Sequence, residues 1–272
     1  MKKLLTGNEA IALGAWEYGV KFATAYPGTP STETLENVAQ YKEITSQWSV
    51  NEKVAFEVAA GAAMAGARTL VAMKHVGVNV AADPLFTMSY IGANGGLVLM
   101  SADDPGMHSS QNEQDNRRYA KFAKIPVLEP ADSQEAKDMV GVALDISEEY
   151  DTPVMLRTTT RISHSKSLVE YGERQEHELK EYKKDPVKNV MMPAFAKPKH
   201  VLVEKRIERL KEYSEKTPLN FEELNDTSYG IITSGITYQY VKEALPNASI
   251  LKLGFSYPMP EKMIKEFASK VD

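Results

Sequence analysis

Asn51-Glu52-Lys53-Val54-Ala55-Phe56-Glu57-Val58-Ala59-Ala60-Gly61-Ala62-Ala63-Met64-Ala65-Gly66-Ala67 reads as a helix of mostly small residues with a glutamate at its mouth. Thr45 to Val50 ahead of it and Thr69 to Met73 behind it read as strands. In an open parallel sheet, ligands bind outside the carboxyl ends of the strands, so Glu52 is expected on that rim. A carboxylate there, beside a close-packed apolar helix, is dry enough to share its proton with a ligand. The plainer alternative is a first-turn carboxylate favoured by the helix dipole, which needs no ligand.

Tyr26-Pro27-Gly28-Thr29-Pro30-Ser31-Thr32-Glu33 follows another apolar strand, Phe22 to Ala25, and opens a helix over 31–39. Its prolines stiffen the loop and Gly28 permits a tight turn. Thr29, Ser31 and Thr32 place hydroxyls and free N–H groups at a helix start, a seat for a carboxylate or other anion. Ser31 alone could serve as an ordinary helix cap. The neighbouring Thr, Pro and Gly residues are what a cap leaves unexplained.

The same alternation runs further. Asn8 to Tyr18 reads as a helix capped by Thr6 or Asn8. Gly96–Met100, Pro126–Leu128 and Val154–Arg157 are short apolar runs bounded by turn residues, as buried strands are. Helices are expected at 78–90, 115–123 and 133–149. The rhythm predicts an α/β fold, a doubly wound and mostly parallel sheet covered on both faces. Residues 170–218, rich in Glu and Lys and carrying Pro186, Pro193 and Pro198, read as a charged linker with a helix at about 201–215. Alternation resumes in Tyr229–Thr233, helix 237–245, Ile250–Leu253 and helix 260–270. Residues 219–272 are too few to close a core of their own and read as the start of a second α/β domain.

Glu52 with its small-residue helix, the Tyr26–Ser31 loop, and the run His108-Ser109-Ser110-Gln111-Asn112-Glu113-Gln114-Asp115-Asn116-Arg117 together resemble one family. It is the thiamin-diphosphate-dependent 2-oxoacid:ferredoxin oxidoreductases, and most closely their indolepyruvate-type alpha subunits. The resemblance runs from about residue 4 to the end but covers only the front part of such a subunit. It implies a thiamin pyrimidine-binding domain at 1–169 and an incomplete transketolase C-terminal-like domain at 219–272. It implies an enzyme part, acting in the oxidative decarboxylation of an aryl 2-oxoacid with coenzyme A as acyl acceptor and ferredoxin as electron acceptor.

Thiamin chemistry asks one thing above all of this domain: a carboxyl hydrogen-bonded to the ring nitrogen of the cofactor's pyrimidine, in a water-poor cradle. Glu52 matches that carboxyl, and Glu57 points elsewhere around the helix. Thr29 matches the family's threonine that contacts the substrate carboxylate, with Ser31 beside it. Tyr26, Pro27, Gly28, Thr29 and Gly77 would line the cofactor beside Glu52. Lys74-His75-Val76-Gly77 leaves a strand end, so Lys74 could attract the oxoacid. His75 could contact substrate or exchange protons, or be merely a satisfied polar residue. Arg117 or Arg118 could clamp a carboxylate, and spacing does not choose between them. Asp103 and Asp104 are of a type that suits Mg²⁺, but the family holds its magnesium elsewhere, so no metal ligand is assigned here.

Composition bounds the rest. Hydrophobic content of 43% and charged content of 25% suit a globular cytoplasmic protein. A formal charge of −5 gives no footprint for nucleic acid. No apolar run approaches a membrane span, and the first residues are too soon polar for a signal peptide. With no cysteine, the chain holds neither a disulfide nor a thiolate-ligated cluster. It also lacks the Gly-Asp and Asn-Asn pairs with which the family holds magnesium and diphosphate. Mg²⁺ and [4Fe-4S] clusters are therefore expected on the remaining part of the alpha subunit or on a partner such as the beta subunit, in an oligomer. The alternatives are a non-redox decarboxylase or transketolase-like enzyme with the same cofactor, and a non-catalytic scaffold.

Overall fold

The chain enters on β1 (Lys2–Thr6) and turns at once into α1 (Gly7–Glu17). Thr6 fixes that turn: the Glu9 amide donates to Thr6 Oγ1 at 3.2 Å and the Thr6 amide to Glu9 Oε2 at 2.7 Å, a reciprocal cap. The computed structural model describes residues 1–272. Alternation continues through β2 (Phe22–Ala25), α2 (Thr32–Val38), β3 (Thr45–Trp48), α3 (Glu52–Met64), β4 (Thr69–Lys74), α4 (His75–Val80), α5 (Ala82–Ile91) and β5 (Leu97–Asp103). Then follow α6 (Arg117–Ala123), β6 (Val127–Leu128), α7 (Ser133–Tyr150), β7 (Val154–Thr159), α8 (Thr160–His164) and β8 (Lys166–Glu170). After an irregular stretch come α9 (Pro186–Asn189), α10 (Pro193–Ser214), β9 (Asn220–Glu223), β10 (Asp226–Thr233), α11 (Thr237–Ala244), β11 (Ala248–Leu253), β12 (Phe255–Tyr257) and α12 (Glu261–Ala268).

The main sheet has the order β12-β6-β7-β5-β4-β2-β3 and is parallel except for β12, which pairs antiparallel with β6. Side chains of a strand alternate between faces, and β4 shows the result. Leu70 and Ala72 join a core with α1, α2 and α7, whereas Val71 and Met73 join one with α3, α5 and α6. Both faces are covered, as the apolar strands require. From β2 the chain first steps outward to β3, then returns through α3 to β4 on the other side of β2. The switch point lies between β2 and β4, so the loops leaving these two strands flank a crevice. Glu52 opens the helix that makes the return.

Several sequence expectations need correcting. The helix expected at 78–90 is two helices, α4 and α5. Pro84 lacks an N–H and its ring would clash with the carbonyl of Val80, so α4 stops there. β1 and β8, an antiparallel two-stranded sheet, went unread because their exposed faces carry charge. The linker helix begins at Pro193 rather than near 201, with Pro193 in the first turn where its missing N–H costs nothing, and Pro198 lies inside it. α10 packs Val203, Ile207 and Leu210 inward, and Arg206 donates to Ser89 O at 2.6 Å. The tail holds four strands rather than two: β9, β11 and β10 form their own small sheet, and β12 extends the main one. No helix is long and apolar enough to cross a membrane.

Candidate active site

The loop after β2 is closed by its own polar groups. The Ser31 hydroxyl donates to Gly28 O at 2.7 Å, and the Gly28 amide donates to Thr32 Oγ1 at 2.8 Å. Asn8 Nδ2 donates to Pro30 O at 2.8 Å, fastening the loop to α1. Ser31 therefore does not cap α2 through its side chain; its backbone is helical and its hydroxyl turns back into the loop. It is also almost wholly buried, so it shapes the loop rather than reaching a ligand directly. Tyr26, Pro27 and Thr29 stay exposed. Of the three hydroxyls at this helix start, Thr29 is the one left facing outward.

Lys74 joins three loops. A Cβ placed on Gly28 would stand 2.9 Å from Lys74 Cδ, so glycine lets the first loop lie on the lysine stem without displacing it. At its far end Lys74 Nζ donates to Ser109 O at 2.9 Å, in the loop after β5.

Glu52 occupies the first turn of α3. Asn51 caps the helix, accepting from the Val54 amide at 2.9 Å, and so sets the direction of the Glu52 side chain. That side chain lies against Gly77, where a Cβ would fall 2.7 Å from both Glu52 Cγ and Oε1. Glu52 is only 8% exposed. Yet its carboxyl, unlike those of its acidic neighbours, takes no hydrogen bond or ion pair from the protein. Neither carboxyl oxygen is sealed from solvent, so the group stands open at the crevice, and the dipole of the 13-residue helix favours its charge there. Glu57 is exposed and sits 3.8 Å from Lys53, an ordinary surface pair.

The polar run after β5 is anchored by groups that sequence reading passed over. Arg157, nine-tenths buried on β7, donates from Nε to Asp103 Oδ2 at 2.7 Å and from Nη1 to Glu129 Oε1 at 2.6 Å. Burial disfavours its charge, but Asp103 and Glu129 outweigh that and raise its proton affinity. One signal was present: an arginine closing the otherwise apolar Val154-Met155-Leu156-Arg157. Asp104 accepts from the Ser109 amide at 2.8 Å and from the hydroxyls of Ser110 and Thr160 at 2.7 Å each. Burial pushes its carboxyl upward, but these donors prevail and hold it below the usual carboxylate range. Both aspartates are thus used up in holding the loop.

Arg117 is also engaged. Its Nε and Nη2 donate to the two oxygens of Asp115 at 2.8 and 2.9 Å, and its Nη1 is 3.7 Å from Glu129. A substrate carboxylate would have to displace Asp115. Arg118 is exposed. His75, expected on the open rim, is instead fully buried, with Nε2 spent on Asn112 O at 3.0 Å. The structure thus brings Glu52, Gly77, Lys74 and the Tyr26–Thr29 loop together at the switch crevice, and sets Ser31, His75 and Arg117 behind it. Two concavities, of about 600 Å³ beside Lys21 and His177 and about 450 Å³ beside Lys180 and Asn94, lie at the amino ends of the strands, away from Glu52.

A doubly wound sheet with a poised carboxyl at its switch point defines a cofactor-binding α/β domain. The chain belongs to the pyruvate flavodoxin/ferredoxin oxidoreductase family: residues 13–226 match its thiamine diphosphate-binding domain. It is 47% identical to the indolepyruvate oxidoreductase subunit IorA of Archaeoglobus fulgidus, over 99% of this chain and 45% of that protein. Against the subunit of the same name from Pyrococcus horikoshii the identity is 50%, over 98% of this chain and 43% of that protein. The chain thus spans less than half the length of these curated relatives. The fold is shared with a 2-oxoglutarate:ferredoxin oxidoreductase from Magnetococcus marinus, solved with 2-oxoglutarate, coenzyme A and succinyl-CoA bound. The TM-score is 0.78 at 16% identity, covering 100% of this chain and 57% of that one.

Proposed function

We propose that this chain is the pyrimidine-binding part of an indolepyruvate:ferredoxin oxidoreductase, acting in the oxidative decarboxylation of aryl 2-oxoacids to aryl-acetyl-CoA. The observation that carries the reading is the Glu52 carboxyl, set against Gly77 at the switch crevice and without a protein partner. The residues present fit thiamin diphosphate: an unpaired carboxyl, a glycine that makes room beside it, and a stiff loop facing it across the crevice. When bound, the cofactor supplies the carbon nucleophile and the electron sink that decarboxylation needs. Glu52 holds a proton at the pyrimidine ring nitrogen. Gly77 lets that carboxyl lie flat on the start of α4, and Tyr26, Pro27 and Gly28 wall the crevice. Thr29, the outward hydroxyl, donates to the substrate carboxylate, and Lys74 adds positive charge behind it.

Residues 1–169 form the pyrimidine-binding domain in this reading, and 219–272 begin the next. The diphosphate seat, Mg²⁺ and [4Fe-4S] clusters belong to the remainder of the alpha subunit or to a beta subunit, within a cytoplasmic oligomer that uses ferredoxin and coenzyme A. The names of the relatives support the aryl substrate, and the bound molecules of the structural neighbour support an acyl-CoA product.

The test is anaerobic purification from the source organism, with the intact mass of every co-purifying chain. The expected result is a complex containing thiamin and iron that reduces ferredoxin when given indolepyruvate and coenzyme A. A preparation without thiamin, iron or oxoacid-dependent ferredoxin reduction would overturn the proposal.

A further inference from the structure

We infer that His75 is a positioning residue, and that with Asn116 it forms a two-way latch holding the 104–116 loop to the turn that carries Gly77. His75 is fully buried, and its Nε2 lies 3.0 Å from the carbonyl of Asn112. A carbonyl only accepts, so the ring proton sits on Nε2. Nδ1 is sealed from solvent with no partner. The ring therefore offers no open nitrogen to a substrate; its one directed contact grips the loop.

The loop grips back. Asn116, also fully buried, donates from Nδ2 to the carbonyl of His75 at 3.1 Å and to Ser101 Oγ at 2.8 Å. Its amide donates to Asp103 Oδ2 at 3.0 Å, tying the latch to the Arg157 ion pair. Between the fastenings the loop is held by Asp104 and, at the surface, by Lys74 on Ser109 O and by the Gly106 amide on Glu113. Residues 105–109 and 111–113 are exposed, and Gly106 and Met107 both take left-handed backbone with φ of 79° and 52°. On the other side, His75 and Gly77 share one turn of a six-residue helix. A shift in the His75 carbonyl therefore moves Gly77, and Glu52 lies on Gly77. What the positioned carboxyl then does rests on the function proposed above; the latch itself does not.

Ring ¹⁵N shifts of His75 in the 272-residue chain test the geometry without any variant. A single neutral form protonated at Nε2 is expected. An Nδ1-protonated or averaged ring would overturn the latch, including the case where a variant fails to fold. Amide exchange across residues 106–113 then tests the mechanics. His75→Ala and Asn116→Ala should each speed exchange about ten-fold, the order set by losing one buried hydrogen bond. His75→Gln keeps an N–H donor of similar reach and should restore most of the protection.

The assembled enzyme separates positioning from chemistry. His75→Gln should keep kcat within about three-fold and leave the pH profile unchanged, whereas loss of a general acid or base costs about 10²–10⁴-fold. A His75→Gln enzyme with a protected loop and a collapsed kcat would make His75 a catalytic residue and end the proposal. If the complex shows no oxoacid activity while the ring form and exchange pattern are as expected, the functional reading fails and the latch stands.

Discussion

Two sets of acidic residues stand at the carboxyl-end rim of this sheet, and they are treated in opposite ways. Asp103 and Asp104 are both hydrogen-bonded by the protein, although burial still pushes Asp103 upward while the donors hold Asp104 down. Arg157, two amides and three hydroxyls account for their oxygens, and both are nearly inaccessible. Glu52 takes nothing from the protein, and its carboxyl oxygens stay open to solvent at the rim. A buried carboxylate is held by the protein's own donors, whereas one left open at a rim is free to meet a ligand that brings them. The first group therefore builds the loop, and the second is the one that the proposed function assigns to the chemistry. Sequence motifs do not make that distinction, since both are acidic residues at or just past strand ends.

The sharpest way to break the contrast is Glu52→Gln. Turnover of the assembled enzyme should fall by about 10²–10⁴-fold, the range of a lost acid–base group. The melting temperature of this chain should barely move, because no internal bond is lost. A stable enzyme with near-normal kcat would remove Glu52 from the chemistry. The converse holds for Arg157→Met, which strands Asp103 and Glu129 without their cation. Unfolding in urea should show a loss of about 3–5 kcal/mol, the usual result of breaking one side of a buried pair. A loss below about 1 kcal/mol would mean that the network is not what holds the loop.

Thr29→Ala probes the boundary between the two groups. Thr29 is on a rigid loop yet faces outward, so the change should leave stability alone and raise the apparent KM for the oxoacid about ten-fold. That is the low end for a hydrogen bond to a charged group. An unchanged KM, with cofactor binding intact, would withdraw Thr29 from substrate contact.

The parts of this arrangement that sequence reading reached are local ones. The α3 helix announces itself through a run of small residues between two strands, and Gly28 and Gly77 through their neighbours in short turns. What it missed depends on residues far apart in the chain. Arg157 meets Asp103 across two paired strands, β12 finds β6 after more than a hundred residues, and β1 finds β8 likewise. His75 was read as open because it follows a strand end, where ligands bind; its burial comes from a loop that folds over it from the next strand. The same limit applied to Ser31. A serine before a helix is a cap by rule, but here the hydroxyl donates back to Gly28 O and accepts from no helix amide.

Asp104→Asn has the smallest expected effect and the clearest sign. Burial alone would raise the Asp104 carboxyl, and then acid would favour the fold. The donors from Ser109, Thr160 and Ser110 reverse this, so the folded value lies below the unfolded one. A group depressed in that way stabilises the fold fully above the unfolded value, near 4, and the contribution fades as pH falls toward the folded one. At pH 7 the asparagine variant should be less stable by about 1–2 kcal/mol, since its NH₂ must face groups that themselves donate. Urea midpoints taken downward from pH 7 should then show the gap between the two proteins closing below about pH 4. If the gap widens instead, burial governs Asp104 and the carboxyl is stranded rather than satisfied. That outcome would erase the difference between Asp104 and Glu52 on which the assignment of the site rests.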